Sequence, residues 1–130
     1  MRMRVLVIED NATNLELMTY LLNAFGHTTI TARDGDEGVV AALTTSPDII
    51  LCDLSLPKLD GYGVVRRLKA EAVGRSVPVI AVTASAMVGD RDKAIAIGFD
   101  GYITKPIMPE TFVTEVETYA RLKAPRPETA

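Results

Sequence analysis

Apolar residues fall along this chain in two rhythms. Short, nearly unbroken runs recur, rich in β-branched residues: Val5-Leu6-Val7-Ile8, Ile49-Ile50-Leu51-Cys52, and the stretch VPVIAVTA at 77–84. Such runs read as strands buried on both faces, the habit of a parallel sheet. HTTITA at 27–32 and GYIT at 101–104 read as two shorter strands. Between them the apolar residues take helical spacing. Leu15, Met18, Leu21, Leu22 and Phe25 share one side of a helix over 11–26, with Asn11 or Thr13 as its N-cap and Gly26 as its C′ residue. A second helix is predicted over 34–45 despite Gly38, and a third over 62–72 with Val64, Val65 and Leu68 turned inward. A weaker fourth helix over 88–98 closes at Gly98. A fifth over 109–123 has Pro109 at N1 and carries Phe112, Val116 and Tyr119 on one face. A βα unit repeated five times implies an α/β fold, a parallel sheet with helices on both faces. In such sheets the ligand crevice lies beyond the carboxyl ends of the strands.

Composition narrows the class. A chain of 130 residues suits one domain, and 48% hydrophobic residues exclude disorder for its body. Only the tail APRPETA reads as loose, so the domain is expected over 1–123 with a flexible tail at 124–130. A net charge of −3 gives no general attraction to nucleic acid or anionic membrane. Glu9 and Asp10 stop the first apolar run too early for a signal peptide or a membrane span. The single cysteine, Cys52, rules out an internal disulfide framework and a cysteine zinc site. Together these features predict a soluble, cytoplasmic protein.

The candidate chemistry collects at the strand ends. Strand one runs into Glu9 and Asp10, strand three ends in Asp53, strand four reaches Thr83, and strand five runs into Lys105. A parallel sheet puts all five on one rim. At ~5 Å and an effective dielectric near 20, each carboxylate pair there would cost roughly 3 kcal/mol. Lys105 supplies one compensating charge. A hard divalent ion supplies the rest, and Mg²⁺ favours a few carboxylates with water and phosphate oxygens. All-oxygen ligands argue against zinc or copper, and the single histidine, His27, lies at the opposite edge. The constellation fits phosphoryl transfer to a carboxylate. Asp53 is the best nucleophile candidate; Asp10 directly and Glu9 through water would hold the ion, and the Ser55 backbone carbonyl could also ligate it. The Thr83 hydroxyl can bond a new phosphoryl group.

The segments VLVIEDNATNLELM, DIILCDLSLPKLDGYG, PVIAVTASA and GYITKPI resemble the receiver domains of bacterial two-component response regulators, in order and spacing. The likeness runs from about Arg4 to Leu122. The Glu9-Asp10-Asn11 opening without an output domain looks most like single-domain regulators of the DivK type. The resemblance implies a doubly wound, flavodoxin-like fold with strand order 2-1-3-4-5. It implies Mg²⁺-dependent phosphorylation of Asp53, with Mn²⁺ as a substitute ion, by a sensor histidine kinase or a histidine phosphotransfer protein. It further implies Asp10, Asp53 and the Ser55 backbone carbonyl as the metal ligands, Thr83 and Tyr102 as switch residues, a cis Lys105-Pro106 bond, and small residues at two positions that tune dephosphorylation, Ser55 and Ser85. The expected output is altered binding of a downstream protein through the face built by the fourth helix, fifth strand and fifth helix, over 88–123. The chain is then a monomer or a phosphorylation-dependent dimer, and its tail favours a complete protein over a domain cut from a hybrid kinase.

Each of these residues also has an ordinary reading. Asp53 could cap a helix, Thr83 could be a plain β-former, and Tyr102 could be a half-buried packing residue. Cys52 faces away from Asp53 by strand alternation and reads as core. The Gly61-Tyr62-Gly63 spacing lacks the third glycine of a dinucleotide site, because position 66 is arginine. Two other functions compete with a non-enzymatic signalling module. One is a Mg²⁺-dependent phosphatase or phosphotransferase of the haloacid dehalogenase type, which needs an aspartate where this chain has Ser55. The other is a flavin-binding fold, disfavoured by an acidic rim.

Overall fold

The computed structural model describes residues 1–84 and 87–123, with only the backbone at positions 73 and 123. The expectations for Ser85 and for the tail at 124–130 fall outside the described residues. Five strands, β1 (Arg4–Ile8), β2 (Thr28–Ala32), β3 (Ile49–Asp53), β4 (Val79–Thr83) and β5 (Gly101–Thr104), alternate with helices α1 (Ala12–Ala24), α2 (Gly35–Thr45), α3 (Gly61–Lys69), α4 (Ala72–Ser76), α5 (Asp90–Ile97) and α6 (Phe112–Lys123). The strands are all parallel, in the order β2-β1-β3-β4-β5. The flavodoxin-like (βα)5 fold is therefore as expected.

Strand alternation sorts the core into two layers. Leu6, Ile8, Ile50, Cys52, Val79 and Ala81 face α2, α3 and α5, where Val39, Val64, Val65, Leu68 and Ala94 meet them. Val5, Val7, Ile49, Leu51, Ile80 and Val82 face α1 and α6, against Met18, Leu22, Phe112 and Val116. Cys52 thus belongs to the core layer, and burial pushes its thiol well above the usual range. Burial of β3 and β4 is complete, which accounts for their unbroken apolar sequences.

The helix starts follow from short polar side chains. Asn11 Oδ1 accepts the Asn14 N–H at 2.9 Å, Asp34 Oδ1 the Glu37 N–H at 2.8 Å, and Asp60 Oδ1 the Gly63 N–H at 2.9 Å. Helix α1 ends at Gly26, whose φ is +89°. Phe25, expected on its inner side, is exposed because the helix has already given way to its C-cap there.

Two further features depart from the sequence reading. A separate one-turn helix, α4, follows α3; its five residues present too few apolar positions to show a period. Helix α6 begins at Phe112, so Pro109 lies in the preceding turn and not at N1. His27, at the amino edge as expected, is buried, with Nδ1 accepting the Met3 N–H at 3.1 Å and Nε2 lying 2.7 Å from Glu117 Oε2 of α6. With Nδ1 occupied as an acceptor, the ring hydrogen sits on Nε2 and points at the carboxylate.

The loop from β3 to α3 shapes the rim at the carboxyl ends of the strands. Gly61 donates its N–H to Leu54 O at 3.0 Å, and a Cβ on it would come within 2.5 Å of Asp53 O and 2.7 Å of Leu54 Cα. Both neighbours are backbone, so neither can swing away. Gly61→Ala is expected to destabilise the protein by about 1–3 kcal/mol, read as a lower midpoint in urea unfolding. An unchanged midpoint would mean that the loop relaxes freely.

Candidate functional site

Parallel pairing brings four chain segments to one edge. The register Ile8↔Cys52 sets Glu9 beside Asp53, and Thr83↔Thr104 sets Lys105 beside Thr83, whose carbonyl accepts the Lys105 N–H at 2.8 Å. The Lys105-Pro106 peptide bond is cis. A cleft of about 380 Å³ opens there, lined by Glu9, Asp10, Asp53, Ser55, Thr83 and Lys105 together with Asn11, Asn14 and Ala84. Every cleft residue expected from the sequence is present in it.

The charges are arranged closely. Lys105 Nζ lies 2.7 Å from Glu9 Oε1 and donates to Asp53 Oδ2 at 2.9 Å. The other Asp53 oxygen, Oδ1, accepts the Ser55 N–H at 3.0 Å. Both oxygens of this carboxylate are thereby fixed in direction. Glu9 is 1% exposed and Asp53 6%. Glu9 Oε2 accepts the Asn11 N–H at 3.1 Å, and Oε1 lies against the Lys105 ammonium. Asp10 is exposed, and its carbonyl accepts from Arg33 Nη2 at 3.2 Å. Glu9, Asp10 and Asp53 each bring a carboxylate oxygen to within 4.8 Å of the others.

This donor set fits Mg²⁺. It is made only of oxygens and gathers three carboxylates, two of them buried. Burial pushes the Glu9 carboxyl up to about 6, with Lys105 opposing and Asp53 reinforcing the shift. Burial by itself would lower the Lys105 ammonium, but the adjoining Glu9 and Asp53 carboxylates outweigh it and hold the group above its usual value. Lys105 is therefore a permanent cation at neutral pH.

Asn11 serves as the expected cap and also lines the cleft with Asn14, one turn on, a second role that the capping pattern conceals. The Arg33 contact with the Asp10 backbone had no sequence signal, since it depends on the β1–β2 register. Thr83 is buried at the end of β4, and Tyr102 is 7% exposed, its ring part of the core layer facing α2, α3 and α5. A larger groove of about 520 Å³ runs along α6 past Thr114 and Tyr119. Its described lining comes from one stretch of chain, so it does not converge titratable groups as the rim does.

The sequence profile of the response regulator receiver domain matches residues 5–117. The chain belongs to this family. As a receiver domain it is 40% identical, over 115 residues, to the polar-differentiation response regulator DivK of Brucella ovis, covering 88% of this chain and 94% of that protein. It superposes with a TM-score of 0.85 on the receiver domain of the sensor histidine kinase PA1611 from Pseudomonas aeruginosa, a structure with magnesium coordinated in its active-site cleft. That pair is 32% identical, over 93% of this chain and 99% of the other. The chemotaxis response regulator CheY4 of Vibrio cholerae shares the fold, with a TM-score of 0.86 at 23% identity over 92% of this chain and 99% of that one. The receiver domain described here thus has an acidic cluster suited to Mg²⁺-dependent phosphoacceptance, and signalling of this kind needs no foreign substrate. Among the described residues, no helix is long and apolar enough to cross a membrane.

The raised Glu9 value has a consequence for stability. Between its unfolded value of 4.5 and about 6, the folded state binds more protons than the unfolded state, so stability falls as pH rises through this window. Above it, the ionised Glu9 costs up to about 2 kcal/mol. Glu9→Gln is expected to raise the urea midpoint of the metal-free protein at pH 7.5, with the gain vanishing below pH ~4.5. A loss of stability at pH 7.5 would show that the Lys105 contact outweighs burial.

Proposed function

We propose that Asp53 is the phosphoacceptor of a two-component or phosphorelay pathway, taking its phosphoryl group from a phosphohistidine of a sensor kinase or phosphotransfer protein. The observation that carries this reading is the fixed carboxylate: Ser55 N–H on Oδ1 and Lys105 Nζ on Oδ2, in a cleft open to an incoming donor. An Asp53 oxygen attacks phosphorus as the P–N bond of the donor breaks. The bonding electrons return to the imidazole nitrogen, which leaves as neutral imidazole because its other nitrogen carries a proton. The product is an acyl phosphate on Asp53.

Each neighbouring group has a part. Lys105 offsets negative charge on the transferred group and on Glu9. Asp10, Asp53 and the Ser55 carbonyl would hold Mg²⁺, with Glu9 behind a water. When bound, this ion supplies positive charge to the carboxylates and to the phosphoryl oxygens, and Mn²⁺, which also takes oxygen ligands, would substitute. The Thr83 hydroxyl would bond the new phosphoryl group, and Tyr102 would follow it. Phosphorylation shifts an equilibrium only through such contacts, made better in one state than in the other.

The output face would be α5, β5 and α6 with the loops between them. Val88, Ile95 and Met108 are exposed there among charged residues, as a protein-binding surface requires. A downstream protein, or a second copy of this chain after phosphorylation, would dock on it. The alternative, a phosphatase or phosphotransferase acting on foreign substrates, lacks the aspartate that would protonate a leaving group, because Ser55 stands two residues after Asp53.

Incubation with radiolabelled acetyl phosphate and Mg²⁺ tests the assignment. The native chain should take up label, and Asp53→Asn should take up none. Turnover of p-nitrophenyl phosphate should stay at background in both proteins. Label retained by Asp53→Asn at the native rate would refute the acceptor, and steady turnover would favour the enzymatic alternative.

A further inference from the structure

The edge of the sheet at β5 carries a contact that phosphoryl transfer does not use. Strand β5 pairs with β4 on one side only, so its outward N–H and C=O groups need partners elsewhere. At Tyr102 one side chain meets both. The Tyr119 hydroxyl of α6 accepts the Tyr102 N–H at 3.3 Å and donates to the Tyr102 carbonyl at 3.2 Å. The Tyr119 ring reaches this position by lying over Gly101. A Cβ at Gly101 would sit 2.4 Å from Cε1 of the ring, so glycine at 101 and tyrosine at 119 are a matched pair.

The opposite flank of α6 is also tied, by Glu117 to the buried His27 at 2.7 Å. Below lie the buried Phe112, Val113, Val116 and Ala120. Helix α6 is therefore held on two flanks by polar contacts, and the one on the β5 side goes to the backbone of the residue assigned above to switching.

We propose that Tyr119 is a positioning residue that grips the β5 backbone at Tyr102 and carries a change at Tyr102 into α6. The inference rests on the switch role given to Tyr102. The two hydrogen bonds make the phenol sensitive to any shift or tilt of the Tyr102 peptide groups. A movement that breaks them frees the ring from Gly101 and lets it shift within the groove that it lines with Thr114 and Thr118. A phosphoryl group at the rim would then be sensed on α6 without touching it.

The test uses the full ¹⁵N-labelled chain, with beryllofluoride and Mg²⁺ as the stand-in for the phosphoryl group. Tyr119→Phe keeps the ring and removes the hydroxyl. Tyr102 amide exchange should then be about tenfold faster in the resting protein. Beryllofluoride affinity should stay within about twofold of native, while the shift response of the Thr114 and Thr118 amides falls to less than about half. Gly101→Ala, which keeps the hydroxyl but displaces the ring, should give the same pattern; if it does not fold, Tyr119→Phe decides alone. Unchanged exchange in Tyr119→Phe would overturn the contact. Faster exchange with a full α6 response would overturn the coupling and leave a merely structural bond. A native chain that binds beryllofluoride with no change at Tyr102 would overturn the switch role and the coupling together. Failure of the native chain to bind it would refute the phosphoacceptor reading, and the exchange ratio would still decide the contact.

Discussion

The Lys105 ammonium lies 2.7 Å from Glu9 and 2.9 Å from Asp53, and the three side chains are largely shielded from water. At such separations an opposite-charge pair is worth roughly 6 kcal/mol at an effective dielectric near 20. That attraction offsets part of the cost of taking these charges out of water. It does not neutralise the rim. Three carboxylates face one ammonium, an excess of two negative charges. A divalent cation has the charge to cancel that excess, and burial, reinforced by Asp53, raises the Glu9 carboxyl beside it. The same imbalance that costs stability in the metal-free protein therefore creates the affinity for metal.

The sheet makes this concentration of charge possible. Positions 9, 53, 83 and 105 are distant in sequence, yet parallel strands of nearly equal length end at one level. Fine adjustment falls to the backbone. The Ser55 N–H turns Asp53, the Asn11 N–H turns Glu9, and the Thr83 carbonyl receives the Lys105 N–H. Each contact joins a site residue to the first residues beyond a strand end. A change in these short connections would misplace the site while leaving the sheet intact.

Much of this was legible in the chain. Unbroken apolar runs ending in Glu9-Asp10, Asp53 and Thr83 mark buried parallel strands whose last residues leave the core, and one physical rule places those ends together. Helix caps at Asn11 and Gly26 were legible because they are local. Less local features were hidden. Helix α4 is one turn long and carries no period. The start of α6 is set by Thr111 and Phe112 bonding back to the Met108 carbonyl, which displaces Pro109 into a turn. His27 pairs with Glu117 across 90 positions, and Tyr119 bonds the backbone at position 102. Such partners are fixed by how α6 lies on the sheet, a property of packing that no periodicity encodes.

The last two helices, α5 and α6, are held in different ways. Helix α5 has one fully buried residue, Ala94, and starts at Gly89, whose φ is +92° and which has no side chain to cap with. Its outer contacts include the Lys93 ammonium 5.0 Å above the Tyr62 ring, an interaction worth about 0.5–1 kcal/mol at an exposed site. Helix α6 has four buried apolar side chains, with polar ties on both flanks. Local opening free energy follows buried contact, so α5 yields at lower cost than α6. On the switch role proposed for Tyr102, a disturbance at the rim would spread in two ways: by loosening α5, whose anchors are few, or through Tyr102 into α6, whose anchors are specific. The first alters the shape of the surface broadly. The second alters it only if particular hydrogen bonds break, and a contact that is either made or broken is what a two-state response requires.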